Sequence, residues 1–158
     1  MKQLLKDAPK REELLDGSRV YEFFRLLAVC NTVVVEDDNG VLSYQASSPD
    51  ELALIQGALQ VGLRLKENST VETIIENLDT KKLETYKVLA EFPFDSTRKR
   101  MSKIIQFDGK ILLMCKGADS IILPRCEFRS EESKAEEIAI NFELLNFAKE
   151  GLRTLVVA

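Results

Sequence analysis

Two apolar runs meet at an Asp-Gly pair. Residues 101–107 lie on one side and residues 111–116 on the other, with Asp108 and Gly109 between them. An Asp-Gly pair between apolar runs is a strong short-range hairpin signal. Just upstream, Tyr86, Val88, Ala90 and Phe92 alternate with polar or outward residues, which predicts a strand with one buried face. Whatever else the chain does, this fifth of it is expected to build an antiparallel sheet.

The flanking segments supply helices and further strands. Residues 1–17 are charged and carry little pattern, and read as a loose lead-in to a single domain over 18–158. Ser18 is placed to cap a helix whose apolar positions are Val20, Phe23, Phe24 and Leu27. Residues 32–35 and 41–45 read as strands, joined by turn residues Asp37, Asp38, Asn39 and Gly40. Pro49 opens a second helix with Asp50 and Glu51 in its first turn, where the helix dipole favours anions. Its apolar side is read as Ala53, Leu54, Ala58 and Val61. Residues 63–66 and 71–75 are further short strands. After Lys116, Gly117 breaks the strand and residues 118–123 form a short helix ended by Pro124, with Asp119 as its cap. Ser133-x-x-Glu136 reads as a capping box for a long helix with Ala135, Ile138, Phe142 and Leu145 on one stripe. Gly151 ends it, and residues 152–158 read as a last strand. The expected fold class is α+β: a twisted antiparallel β-sheet with helices packed on it.

Composition removes several chemistries. A length of 158 residues fits one domain with a sizeable core. There is no histidine, which excludes histidine catalysis and histidine-ligated zinc. Cys30, Cys115 and Cys126 are far apart and form no CxxC pair, which argues against a zinc ribbon or a thioredoxin motif. Their odd number, without a signal peptide, fits a reducing compartment. A net charge of −4 argues against a surface devoted to nucleic acid. No apolar run approaches the ~20 residues needed to span a bilayer. Any membrane-spanning part would have to lie elsewhere. Gly-rich phosphate loops of the Walker or Rossmann type are absent.

One stretch does not fit a plain structural role. In EFPFDSTRKRMSKII, residues 91–105, the cations Arg98, Lys99 and Arg100 sit beside Phe92 and Phe94, between two strands of an acidic chain. An extended strand would point Arg98 and Arg100 to one side, and Lys99 with Met101 to the other. Beside it stand SSPDELAL at 47–54, CKGADSIILPR at 115–125 and GLRTLVVA at 151–158. Together with FFRLLAVCNTVV at 23–34 and YQASSPDE at 44–51, in this order, they resemble the nucleotide-binding domain of P-type ATPases. The wording is closest to the P4 branch, the phospholipid-transporting flippases. The resemblance runs from about residue 21 to residue 158.

The resemblance implies roles residue by residue. Phe94 matches the aromatic ring that stacks on adenine. Glu51 matches an acid near the adenine amino group. Lys116 matches the lysine deep in the pocket, and Arg153 an arginine on the phosphate side. Lys99 and Met101 match further pocket residues. The chemistry suits each role: a base needs a π surface, a carboxylate accepts from an exocyclic amine, and polyphosphate needs cations. Three departures stand out. Asn31 replaces a usual histidine, Leu52 follows the PDE segment in place of a common glycine, and Asp95 replaces a frequent asparagine.

The family forms an aspartyl-phosphate on a DKTG segment, which this sequence does not contain. The resemblance therefore implies a domain excised from a larger membrane ATPase. It would bind ATP without hydrolysing it, with Mg²⁺ held mainly by a separate phosphorylation domain. No catalytic residue and no metal ligand is expected in this chain itself. Implied partners are the phosphorylation and actuator domains of the same parent, a membrane-embedded protein with a phospholipid substrate, and the implied location is the cytoplasmic face of a cellular membrane. Two other readings stay open at this point: the same domain of a cation pump, and a non-enzymatic module binding an anionic ligand through its basic stretch. Each residue also has a plainer role, as core phenylalanine, helix-start acid, solvated cation or strand end.

Overall fold

A computed structural model describes residues 19–158. The lead-in at 1–17 and the cap expected at Ser18 lie outside the described residues. Eight strands and four helices follow in order. They are α1 (Arg19–Val29), β1 (Val34–Asp38), β2 (Val41–Gln45), α2 (Pro49–Gln60), β3 (Leu63–Asn68), β4 (Glu72–Asn77) and β5 (Leu83–Asp95). After these come β6 (Arg100–Phe107), β7 (Lys110–Gly117), α3 (Asp119–Ile122), α4 (Glu131–Lys149) and β8 (Val156–Val157). A 3₁₀ turn at Leu123–Arg125 follows α3. Strands β3 to β8 form one sheet in sequence order, each antiparallel to the next, and β1 and β2 form a separate hairpin.

Both tight hairpins turn where the sequence supplies left-handed backbone. Asn39 and Gly40 have φ of 53° and 90°, and Asp108 and Gly109 have 49° and 72°. Positive φ at both central residues twists a two-residue turn to match its strands. The β6–β7 ladder then runs unbroken from Phe107↔Lys110 to Arg100↔Gly117.

Helices α1 and α2 pack together against one face of the sheet. Their apolar sides meet Leu63, Leu65, Ile75, Tyr86, Met101 and Ile105, all nearly inaccessible to water. The buried residues of α1 are Tyr21, Leu26, Leu27, Ala28 and Val29, whereas Val20 and Phe23, expected inside, are exposed. In α2 the buried residues are Ile55 and Ala58. Ser48 caps its start by accepting the Asp50 N–H at 3.1 Å.

Strand β5 departs from simple alternation. Tyr86 and Val88 are buried, but Val88 pairs with Ile105 and Ala90 with Ile104, so Leu89 is an inserted residue. A bulge of this kind reverses which residues face the core. Beyond it Phe92 is exposed, and the single buried face expected for the strand ends at Val88.

The C-terminal part differs most from expectation. The capping box of α4 is Ser130 with Ser133, three residues ahead of the one predicted. Gly151 does end the helix: at φ 71° it donates to Ala148, and Leu152 reaches back to Phe147. No residue of α4 is buried, and Ile138, Phe142 and Leu145 lie on the surface. The last strand is short. Val156 and Val157 pair with β7, and Ala158 and Cys115 exchange backbone hydrogen bonds at 2.9 and 2.7 Å.

Candidate functional site

Helix α2 begins beside the end of β7, and this brings Glu51 to Lys116. Lys116 Nζ donates to Glu51 Oε1 at 2.9 Å. The hydroxyl of Thr32 donates to Oε2 at 2.7 Å and its N–H to Oε1 at 3.4 Å. Both ends of the ion pair are largely withdrawn from water, with side-chain exposures of 7% for Lys116 and 14% for Glu51. Burial works to raise the Glu51 carboxyl. The hydrogen bonds from Thr32 and Lys116 and the charge of Lys116 outweigh it and hold the group below the usual carboxylate range.

Met101 lies directly across the β6–β7 ladder from Lys116 and is buried. On the other side of β6 the register carries Phe94 to the same place. Phe92 pairs with Ser102 and Asp95 with Arg100, so Pro93 and Phe94 together oppose Met101 alone. This second bulge sets Phe94, 66% exposed, in the row that contains Met101 and Lys116. An exposed ring at that position has little to do with the core.

The basic stretch is a turn, not an extended strand. Asp95 Oδ1 accepts the N–H groups of Thr97 at 2.9 Å and Arg98 at 2.8 Å. The Lys99 N–H bonds to the Asp95 carbonyl at 2.6 Å, and Lys99 takes a left-handed φ of 52°. The Lys99 side chain is exposed, and no hydrogen bond or ion pair fixes it among the described residues. Arg98 and Arg100 do share a side, away from Met101, but by way of the turn.

The KGAD segment holds that turn. Ala118 N–H donates to the Lys99 carbonyl at 3.1 Å. A Cβ on Gly117 would stand 2.5 Å from that carbonyl oxygen and 2.6 Å from Arg100 Cβ. The strand can pass the turn only because residue 117 is glycine. Asp119 is the first residue of α3 and accepts the N–H of Ser120 at 2.6 Å; the cap position belongs to Ala118. Arg153 reaches the cluster through Asp50, at 2.7 Å, with its own side chain 85% exposed.

Of the six expected residues, Glu51, Lys116 and Met101 are joined directly. Phe94 is in register with them, Arg153 is tied to the neighbour of Glu51, and Lys99 sits on the adjoining turn. Two cavities, of about 400 and 510 Å³, lie elsewhere, and neither is lined by any of the six.

Sequence reasoning missed Thr32, Asp50 and Lys103. Lys103 is completely buried, with Nζ bonded to Asn68 Oδ1 at 2.8 Å, Asn31 O at 3.1 Å and Thr73 Oγ1 at 3.3 Å, and paired with Glu91 at 3.1 Å. Burial pulls its pKa down against the opposing charge of Glu91. A signal existed: Lys103 falls between Met101 and Ile105 in a period of two, on the inward face. The network includes Asn31, one of the three departures, whose side chain also holds the Ala28 carbonyl and the Val33 N–H.

Among the described residues, no three His, Cys, Asp or Glu side chains converge on a metal position. No described helix is long and apolar enough to cross a membrane.

Comparison with known proteins adds a family to this geometry. The model of a family described as P-type ATPase, cytoplasmic domain N, matches residues 19–158. The chain is 39% identical to probable phospholipid-transporting ATPase 12 of Arabidopsis thaliana, over 93% of this chain and 13% of that protein. It is 41% identical to phospholipid-transporting ATPase DRS2 of Saccharomyces cerevisiae, over 90% of this chain and 10% of that one. To phospholipid-transporting ATPase IC of Homo sapiens it is 42% identical, over 91% and 11%. The chain thus spans only about a tenth of the length of these relatives.

Proposed function

Because the chain belongs to the P-type ATPase cytoplasmic N-domain family, we propose that it binds ATP at the meeting of α2, β5, β6 and β7. The observation that carries the reading is the Glu51–Lys116 pair beside Met101, with the exposed ring of Phe94 in the same row. Phe94 receives the base. Stacking of this kind contributes about 1–3 kcal/mol per base. Glu51 Oε2 accepts only the Thr32 hydroxyl and keeps a lone pair to accept from the adenine amine. Guanine presents a carbonyl there, which a carboxylate repels. Lys116 has three donors and gives one to Glu51, leaving others for the nucleotide. Lys99 and Arg153 are exposed cations at the edge of the cluster, suited to the phosphate end.

The relatives' names tie the domain to phospholipid-transporting ATPases, and we assign the parent protein to that class. The sequence holds no DKTG segment, so the domain presents the γ-phosphate to an aspartate in a separate phosphorylation domain. That domain also holds most of the Mg²⁺. An actuator domain and a membrane part with a phospholipid substrate complete the parent. The N domain works at the cytoplasmic face.

An amide NMR titration with ATP, run beside GTP, tests the reading. The expected result is shifts at Glu51, Phe94, Lys116 and Arg153 that are larger with ATP. Shifts confined to residues 98–100, equal for both nucleotides and erased by salt, would mark a charge patch and overturn it.

A further inference from the structure

Strand β6 has a second working face. Arg100 and Ser102 flank Met101 in sequence, so they point to the side of the sheet away from Glu51 and Lys116. There the ladder lines up Phe92, Ser102 and Cys115, with the Ser102 hydroxyl 3.2 Å from the Cys115 thiol. These residues, with Leu113, Ile122 and the guanidinium-bearing Arg98, Arg100 and Arg125, line the cavity of about 400 Å³.

The cavity is lined by three cationic side chains and no acidic one. Arg98, Arg100 and Arg125 have no carboxylate within ion-pair distance among the described residues, although the chain carries more acids than bases. Each is instead held by a backbone carbonyl: Arg98 by Pro93 at 3.5 Å, Arg100 by Arg98 at 3.3 Å, and Arg125 by Ile121 at 2.5 Å. Arg98 also lies over the Phe92 ring, 5.5 Å from its centre. A guanidinium has five N–H donors, so each keeps most of its donors for a ligand while its position is set. Three fixed cations beside a wall of Phe92, Leu113 and Ile122 match a group with two negative charges attached to an apolar body. Guanidinium forks bind phosphate oxygens in pairs, and the volume suits a small organic ligand.

We propose that this cavity is a second anion site that takes a phosphate monoester with an apolar body, on the face of the sheet opposite the nucleotide cluster. It does not depend on the ATP reading, since it shares no side chain with the six residues assigned there.

Phenyl phosphate is the probe. It is titrated into the 158-residue chain by amide NMR, with and without saturating ATP, beside inorganic phosphate and phenol. The expected result is saturable shifts at Ser102, Leu113, Cys115 and Cys126 that persist with ATP present. Phenyl phosphate should bind roughly tenfold more tightly than inorganic phosphate, from burial of its ring. Arg125→Gln, at an exposed position, should weaken it by roughly tenfold with the rest of the spectrum unchanged, and Arg98→Gln should do likewise. Shifts at Glu51, Phe94 and Lys116 that ATP erases would put the phosphate on the nucleotide face and overturn the second site while leaving the first. Equal binding of phenyl and inorganic phosphate, or no loss in either arginine variant, would also overturn it.

Discussion

Phe94 and Lys116 are both assigned to the proposed ATP site but differ in what the fold asks of them. Phe94 is 66% exposed, so its ring contributes little to the core and is available to a ligand. Phe94→Ala should leave the thermal midpoint unchanged and lower ATP affinity by about 1–3 kcal/mol, read by calorimetric titration. Unfolding of this variant would return Phe94 to the core. Lys116 is bound up with stability as well. Lys116→Met strands Glu51 in a mostly buried position, and breaking such a pair costs about 3–5 kcal/mol. The loss should appear in denaturant unfolding and be smaller in the Glu51→Gln, Lys116→Met double variant. The pair also sets an acid limb. The Glu51 carboxyl is held below its ordinary 4.5 in the folded state. Its stabilisation is therefore complete above that value and lost as pH falls through the lower folded pKa. Glu51→Gln should flatten the loss of stability below pH 4.5, and an unaltered acid limb would show that the pair contributes none of it.

At the scale of elements, the β5–β6 turn and the KGAD segment act as one piece. Gly117→Ala introduces a Cβ 2.5 Å from the Lys99 carbonyl, against backbone that cannot rotate away. The turn must move, and Phe94 and Lys99 move with it. ATP affinity should fall at least as far as in Phe94→Ala, with amide shifts spread over residues 94–101; a wild-type affinity would uncouple the turn from the site. Much of this region was legible beforehand. Asp108-Gly109 fixed the β6–β7 register because its turn geometry admits few alternatives. Pro49, Asp50 and Glu51 announced the start of α2, and with it the position of the acid. The bulges at Leu89 and at Pro93–Phe94 were not legible, since an inserted residue leaves no mark on an alternating pattern. Alternation alone therefore reads Phe92 as inward, where it faces the cavity, and the basic stretch as extended, where Asp95 folds it into a turn. Lys103 was overlooked because a charge is read as surface, although its place between Met101 and Ile105 set it inside. For Val20, Phe23 and the stripe of α4, periodicity gave an amphipathic helix but not the partner that would cover it.

Across the whole molecule, burial is unevenly shared. The core lies between α1, α2 and strands β3 to β7, and Lys103 ties β6 to β3, β4 and β5 through Asn68, Thr73 and Glu91. Helix α4 buries no residue. Beyond its own caps, its polar links to the rest among the described residues are the ion pairs of Arg19 with Glu132 and Glu136, and exposed pairs of this kind add little to stability. A helix of this length held mainly by local bonds is close to marginal in water. Regions with few buried apolar contacts open at far lower free energy than the core. Amide hydrogen exchange should therefore find residues 131–149 exchanging orders of magnitude faster than β4 to β7, with ATP slowing residues 94–101 and leaving the helix unchanged. Core-like protection along Ile138, Phe142 and Leu145 would instead mean that the stripe is covered in solution. A second copy of the chain would make that protection depend on concentration, so repeating the exchange at a tenfold dilution separates self-association from packing within one molecule.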